Sequence, residues 1–282
     1  MIVQIDPRTA VGVVTLSVAD LVRSLEFYQR MIGLELLAQD AASTSLGAGG
    51  VALLHLHESP GARHVRRATG LYHFALRVPE RRDLARVLRH FAEQGFRIDG
   101  AADHIVSEAL YLSDPDGHGI EIYCDRPRSA WYDRQGQLLL ASDPIDLPAI
   151  LAELRDDDPA WQGLPDGTDM GHIHLQVADL AATERFYLDI LGFERMARMP
   201  SASFVGAGGY HHHIGMNTWA GVGVPVPPEG AARLLSYELV LPDQAALDAV
   251  LDRLRAAMPL VQGEHSWVVD DPSQIRVLLR AR

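Results

Sequence analysis

The chain has 282 residues, 48% of them hydrophobic, which is enough for two ordinary domains with real cores and argues against disorder. A formal net charge of −12 argues against nucleic acid as a partner, because phosphate backbones need a basic surface, and no apolar run reaches membrane-spanning length. The one cysteine, Cys124, rules out an intrachain disulfide, and Met1 to Arg8 lacks a basic-then-apolar leader pattern, so a soluble cytoplasmic protein is expected.

The first unit runs over residues 11–57. A strand leads through Val18-Ala19-Asp20-Leu21 into a helix predicted over residues 21–31, with Asp20 in the place of an N-cap and Gly33 closing the far end. Short strands follow at residues 44–47 and 51–56. Residues 58–69 hold Pro60, Gly61 and several basic or histidine side chains and read as a loop.

The second unit, over residues 70–125, opens with Leu71-Tyr72-His73-Phe74-Ala75-Leu76-Arg77-Val78 and continues into a helix over residues 82–94. An Asp114-Pro115-Asp116-Gly117 turn precedes a last strand, Gly119-Ile120-Glu121-Ile122-Tyr123. Glu121 stands between two isoleucines and so faces away from them on the pleat. A carboxylate at the centre of an apolar strand is costly to bury unless something compensates its charge, and a metal ion does so. Cys124 in the same strand reads as a small buried hydrophobe.

Residues 126–170 form a linker rich in Pro, Asp and Gly, with one helix expected over residues 147–155. Its length suits a strap over a domain or a span between two.

The third unit, over residues 171–219, repeats the first. Gly171-His172-Ile173-His174 opens a strand that leads through Val177-Ala178-Asp179-Leu180 to Phe186-Tyr187 and Gly192, as Val18-Ala19-Asp20-Leu21 led to Phe27-Tyr28 and Gly33. His172 and His174 are two apart and share a strand face. His172 lies five residues before Val177, as His73 lies five before Val78, which selects His172 as the partner of His73. The unit ends in Tyr210-His211-His212-His213-Ile214-Gly215. Read as a strand, His213 falls near the position of Glu121 and is a further ligand or an acid/base group. The fourth unit, over residues 235–280, has Ser236 at the strand-one histidine position, with Arg276 expected where the glutamate stands. The first has Val13 there.

The chain thus divides into two halves, residues 1–125 and 171–282, each of two strand-helix-three-strand units, an α+β class. The complete ligand set offered by the repeats is His73, Glu121 and His172. Two imidazoles and a carboxylate on one face of a divalent metal are the donors of non-haem Fe(II) oxygenases, with three positions open for O2 and a chelating substrate. The set is split between the second and third units, so these are expected to pair, leaving the first and fourth to form a metal-free partner.

The four-unit pattern, the VADL-to-FY helix entry, the Asp-Pro-Asp-Gly turn before Gly-Ile-Glu-Ile-Tyr and the Gly-Tyr-His-His-His-Ile-Gly segment resemble the vicinal oxygen chelate superfamily. The closest likeness is to catechol-2,3-dioxygenase-like, four-module ring-cleaving proteins. The resemblance implies βαβββ modules pairing into two open β-barrels, with His73, Glu121 and His172 as ligands of Fe(II), or of Mn, Zn or Ni. It further implies a tyrosine ten residues before the glutamate, Tyr111, as a hydrogen-bond donor to substrate, and a histidine ahead of it, which His104 matches loosely. An acid/base histidine is implied in the His211–His213 segment, with His213 the first choice. The implied reaction is extradiol cleavage of a small aromatic diol by O2, in a chain that can form a homo-oligomer. The alternatives are a glyoxalase-type metal-dependent lyase, isomerase or transferase, and a metal-free drug-binding protein.

Overall fold

The computed structural model describes residues 4–282; Met1–Val3, part of the stretch read above for a leader, lie outside it. The first module comprises β1 (Ala10–Val18), α1 (Leu21–Glu26), β2 (Glu35–Gln39), β3 (Ser43–Ala48) and β4 (Val51–Glu58). The second comprises β5 (Gly70–Arg77), α2 (Arg81–Glu93), β6 (Gly100–Asp103), β7 (Ser107–Ser113) and β8 (Gly119–Asp125). A linker with the short α3 (Leu147–Leu151) leads to the third, β9 (Asp169–Gln176), α4 (Leu180–Arg185), β10 (Glu194–Met199), β11 (Ala202–Gly206) and β12 (Ile214–Asn217). The fourth is β13 (Leu234–Leu241), α5 (Gln244–Ala257), β14 (Val261–Gln262), β15 (Trp267–Asp270) and β16 (Arg276–Ala281).

The strands form two curled eight-stranded sheets. One has the order β14-β15-β16-β13-β1-β4-β3-β2, the other β10-β11-β12-β9-β5-β8-β7-β6. Antiparallel pairing of β5 with β9 therefore joins the second and third modules, and pairing of β1 with β13 joins the first and fourth. This is the pairing of modules expected from the distribution of His73, Glu121 and His172.

Local chemistry repeats with the modules. Asp20 and Asp179 cap α1 and α4 by accepting from the backbone N–H groups of Arg23 and Ala182. Each helix then widens into a π turn, Phe27–Ile32 and Phe186–Leu191, which ends where Gly33 and Gly192 take φ of 86° and 88°. The tyrosines of the two Phe-Tyr pairs are fully buried, and each reaches the Asp-Pro turn of the next module. Tyr28 donates to Asp114 at 2.9 Å, and Tyr187 lies 2.6 Å from the Tyr237 hydroxyl and 3.3 Å from Asp271. The first module is thus latched to the second, and the third to the fourth, through polar contacts in the core, while modules in one sheet are joined by strand pairing.

Asp271 carries a testable consequence. Burial raises its carboxyl to about 6, against hydrogen bonds from the Ile275 and Ser273 amides and Tyr187 that favour the charge. A folded-state value above the ordinary 3.8 means that the folded chain keeps a proton the unfolded chain has lost. Stability therefore declines as pH rises from about 4 to 6, and the penalty is full above that window. Asp271→Asn keeps the acceptor for both amides and should raise stability at pH 7.5 by about 1–3 kcal/mol. Thermal melts at pH 4.5 and 7.5 check this: a gain no larger at the higher pH would contradict it.

The linker straps over α2. Asp158, its side chain fully buried, lies 2.7 Å from both Arg82 and Arg86, and Trp161 stacks on His90 with centroids 4.4 Å apart. The helix ends at Leu151, well short of the predicted residue 155: Glu153 and Leu154 donate only three residues back, to Ile150 and Leu151, and the Arg155 amide donates to Asp158. Nearer the second sheet, buried Glu108 pairs with Arg81 at 2.6 Å and Arg126 at 3.1 Å, and an isolated bridge ties Asp103 to Asp143.

Candidate metal centre

The concave face of the second sheet collects the side chains that the repeat analysis singled out. On β8, Ile120 and Ile122 enter the core, so Glu121 projects from the opposite face. On that face its neighbours in register are Ala75 of β5 and Tyr111 of β7. Alanine at 75 and again at 109 keeps the face open around the carboxylate. A bulge between Leu71 and His73 brings the β5 histidine inward. Glu121 Oε2 lies 3.1 Å from His73 Nε2 and 3.1 Å from His172 Nε2. One donor atom from each of the three residues lies within 4.8 Å of the others, and all three side chains are buried.

The cluster is short of protons and partners. His172 Nε2 is placed to hydrogen-bond the carboxylate, but His73 Nε2, despite its proximity, lacks hydrogen-bond geometry to any group and is orphaned in the interior. Burial works against charge on Glu121, but the imidazoles of His172 and His73 outweigh it, and its carboxyl stays well below the usual range. Burial pushes His172 down to about 4, partly offset by Glu121. Neutral imidazoles and an ionised carboxylate are the forms a cation binds. An orphaned ring nitrogen beside a buried negative charge is the environment that a divalent metal ion satisfies, so the residues present fit the group.

The surroundings differ on the two sides. His104 Nδ1 lies 2.7 Å from the Ala141 carbonyl and must donate to it, which leaves Nε2 bare to accept from the Tyr111 hydroxyl at 2.6 Å. Burial first, and the charge of Glu121 second, push the Tyr111 hydroxyl far up, so it stays protonated. On the other side His174 faces the same way as His172, with its Nε2 held 3.1 Å from Asn217 Nδ2. Its ring sits over Gly215, where a Cβ would come within 2.9 Å. Phe204, Tyr72 and Trp219 pack around His174 and form an aromatic wall, with Tyr72 and Trp219 partly open to solvent.

Two expectations need correction. Residues 211–213 are not a strand: β12 starts at Ile214, and the three histidines follow Gly208 and Gly209, both at positive φ, in a bend where alternation does not apply. The ring of His212 lies 4.2 Å from that of His172. His213 turns elsewhere, accepting from the Ala207 amide through Nδ1 at 3.1 Å and packing on Tyr210. The register also moves the counterpart of Glu121. As Glu121 pairs with Ala75, so Gly215 pairs with His174, His55 with Thr15, and Leu278 with Glu238. Gly215 and Leu278, not His213 and Arg276, hold the glutamate position. Arg276 instead pairs with Asp270 at the surface.

Sequence reasoning left open which of His211, His212 and His213 turns toward the site, with His213 the first choice, and missed Asn217 and Phe204. The Gly208-Gly209 pair was the signal that a strand should not be drawn through the histidines.

The sequence matches the family described as the Glyoxalase/Bleomycin resistance protein/Dioxygenase superfamily over residues 10–122 and 169–264. It is 45% identical over 271 residues, 94% of each chain, to the Catechol-2,3-dioxygenase of Bacillus subtilis (strain 168). The fold is similar to that of a Bacillus subtilis subsp. subtilis str. 168 protein provisionally named a dioxygenase, with a TM-score of 0.67 at 13% identity over 99% of this chain and 86% of that one. It is also similar to glyoxalase I from Zea mays, with a TM-score of 0.58 at 15% identity over 96% and 92% of the two chains. With its two sheets of paired modules, the chain belongs to the Glyoxalase/Bleomycin resistance protein/Dioxygenase superfamily, the vicinal oxygen chelate superfamily, and within it is a catechol-dioxygenase-like enzyme.

Proposed function

We propose that the chain is an extradiol ring-cleavage dioxygenase that opens catechol-type rings with O2, using Fe(II) held by His73, Glu121 and His172. The observation that carries this reading is the glycine at 215. The position related to Glu121 by the module repeat has no side chain, so the protein offers three donors and not four. A six-coordinate metal then keeps three positions, the number that a chelating diol and O2 need together, whereas a lyase or isomerase acting on one chelating substrate needs two. The name of the 45% identical Bacillus subtilis relative supports the same reading.

When bound, the metal supplies joint attachment of diol and O2 side by side and electron transfer between them. The chain's own groups do the rest. Glu121 contributes one negative charge, so a dication here keeps net positive charge and favours an anionic diol. His212, with its ring against His172, removes and returns the proton of a substrate hydroxyl. The Tyr111 proton is committed to His104, so its oxygen presents lone pairs to the site and accepts from substrate. This reverses the donor role expected above, and His104 is the residue that imposes it. Phe204, Tyr72 and Trp219 exclude water from one side and offer flat apolar surface to an aromatic ring.

The test is anaerobic reconstitution with Fe(II), followed by O2 consumption against a panel of catechols, with the yellow muconic semialdehyde as product. Absence of O2 uptake in protein that holds stoichiometric Fe(II) would overturn the reading. Tyr111→Phe should fold, keep its metal and lose turnover on the order of tenfold to a hundredfold. Unchanged kinetics with several catechols would discard the role given to that hydroxyl.

A further inference from the structure

Behind His212 the polar groups form a single file. His212 Nδ1 lies 2.9 Å from His211 Nδ1, and His211 Nε2 lies 2.9 Å from Asp125 Oδ1. The other oxygen of Asp125 accepts from Arg77 at 3.1 Å and from the Tyr210 hydroxyl at 3.0 Å. Tyr210 is in turn 2.6 Å from the Tyr123 hydroxyl, which fits because Gly171 has no Cβ to collide with it. His211 is fully buried, with its ring against Trp131 and Tyr210. These groups touch none of the three donor residues through a hydrogen bond, and structural packing alone does not call for two histidines joined nitrogen to nitrogen.

We infer that Asp125 and His211 are positioning residues that fix the tautomer of His212, leaving its Nε2 bare to take a proton; the catalytic part of this inference rests on the acid/base role proposed for His212. An ionised carboxylate only accepts, so His211 Nε2 carries the hydrogen. The Asp125 carboxyl is held below its usual range despite burial, because His211 and Arg77 donate to it. A singly protonated His211 then has a bare Nδ1. The short contact between the two Nδ1 atoms requires one hydrogen between them, and it must come from His212. Neutral His212 consequently has no hydrogen on Nε2. A base whose lone pair is already set needs no tautomer exchange before it acts, the service a buried aspartate gives the histidine of a hydrolytic triad.

Asp125→Asn inverts the chain without changing its shape. Arg77 and Tyr210 both donate to one side of the group, so the amide oxygen is drawn there and the amide nitrogen faces His211. His211 must then accept through Nε2 and carry its hydrogen on Nδ1, and His212 must carry its own on Nε2.

The measurement is long-range 1H–15N correlation on the metal-free, histidine-labelled full-length chain, with His212→Gln used to assign the resonances. Wild type should show His211 as the Nε2–H form and His212 as the Nδ1–H form, and Asp125→Asn should show both reversed. In Fe(II)-loaded protein with catechol the same variant should lose kcat by about 10²–10⁴-fold while KM changes little, and Asp125→Glu should recover part of it. A bare Nδ1 on His212 in wild type, or a doubly protonated His211, overturns the inference, and because the tautomers are read in wild type this outcome does not depend on Asp125→Asn folding. Reversed tautomers with unchanged kcat overturn the positioning role. Wild-type tautomers as stated, in a loaded protein that takes up no O2 with any catechol, remove the proposed function and leave the fixed tautomer standing.

Discussion

Glu121→Gln should lower affinity for a divalent metal by about a hundredfold or more and take O2-dependent turnover with it, while the metal-free protein remains folded. The carboxylate is the one negative charge among the three donors, and it lies 3.1 Å from both ring nitrogens. An amide of the same shape keeps the packing against Ala75 and Tyr111 but cannot offset a dication. The metal-free variant should stay folded but lose some stability, because the imidazoles of His172 and His73 more than offset the burial of the Glu121 charge and an amide forfeits that gain. Binding that favours the folded state raises stability by about 2.7 kcal/mol when metal is at a hundred times its Kd, so wild type should melt higher with metal and the variant should not. Calorimetric titration and paired melts test both halves. Metal bound to the variant with wild-type affinity and the same rise in Tm would remove Glu121 from the donor set.

The convergence of His73, Glu121 and His172 was legible in the sequence because it depends on two simple periods. Alternation along a strand sets Glu121 apart from Ile120 and Ile122, and the module repeat aligns His73 with His172. The errors came where one of those periods stops. A bend after Gly208-Gly209 breaks alternation through residues 211–213, so parity could not say which histidine turns inward. Arg276 was a slip of two residues. Glu121 stands as far beyond Asp114 as Leu278 stands beyond Asp271, and counting from the turn aspartate would have found it. The Phe-Tyr tyrosines were visible as repeats, but their partners Asp114 and Asp271 belong to other modules, and a partner across modules has no signature along the chain. Asp125, His211 and His212 are joined only by folding for the same reason.

The first sheet explains why one ligand set is enough. Its counterparts of the donors are Val13, Ser236 and His55, and Ser236 pairs with Thr15 as His172 pairs with Ala75. Glu238 is tied at 3.0 Å to Arg280 and also accepts from the Val13 amide. A guanidinium thus supplies the positive charge that the second sheet leaves for a metal, and the carboxylate is satisfied by the chain itself. Duplicated modules have diverged into one half whose charge is closed internally and one half whose charge is left open.

The histidine run allows a crossed pair of substitutions with opposite outcomes. His212→Ala should keep the metal, because His212 is outside the cluster of His73, Glu121 and His172, and should lower kcat by about 10²–10⁴-fold, the range for loss of a positioned acid/base. His213→Ala should do the reverse. Its ring accepts from the Ala207 amide, and losing that acceptor leaves a backbone donor unpaired, at a cost of about 1–3 kcal/mol in stability. Turnover of the folded fraction should stay within a few-fold of wild type, since the ring packs on Tyr210 and Phe193 away from the donors. Burial pushes His213 down to about 3, so its ring is neutral at neutral pH, with Nδ1 occupied by the Ala207 amide. Burial also pushes His212 well below its usual range, which leaves both rings neutral and makes position, not charge state, the difference between them. Metal content, kcat and Tm measured on both variants decide the assignment: a stable His213→Ala that loses turnover, beside a His212→Ala that keeps it, would return the acid/base role to His213.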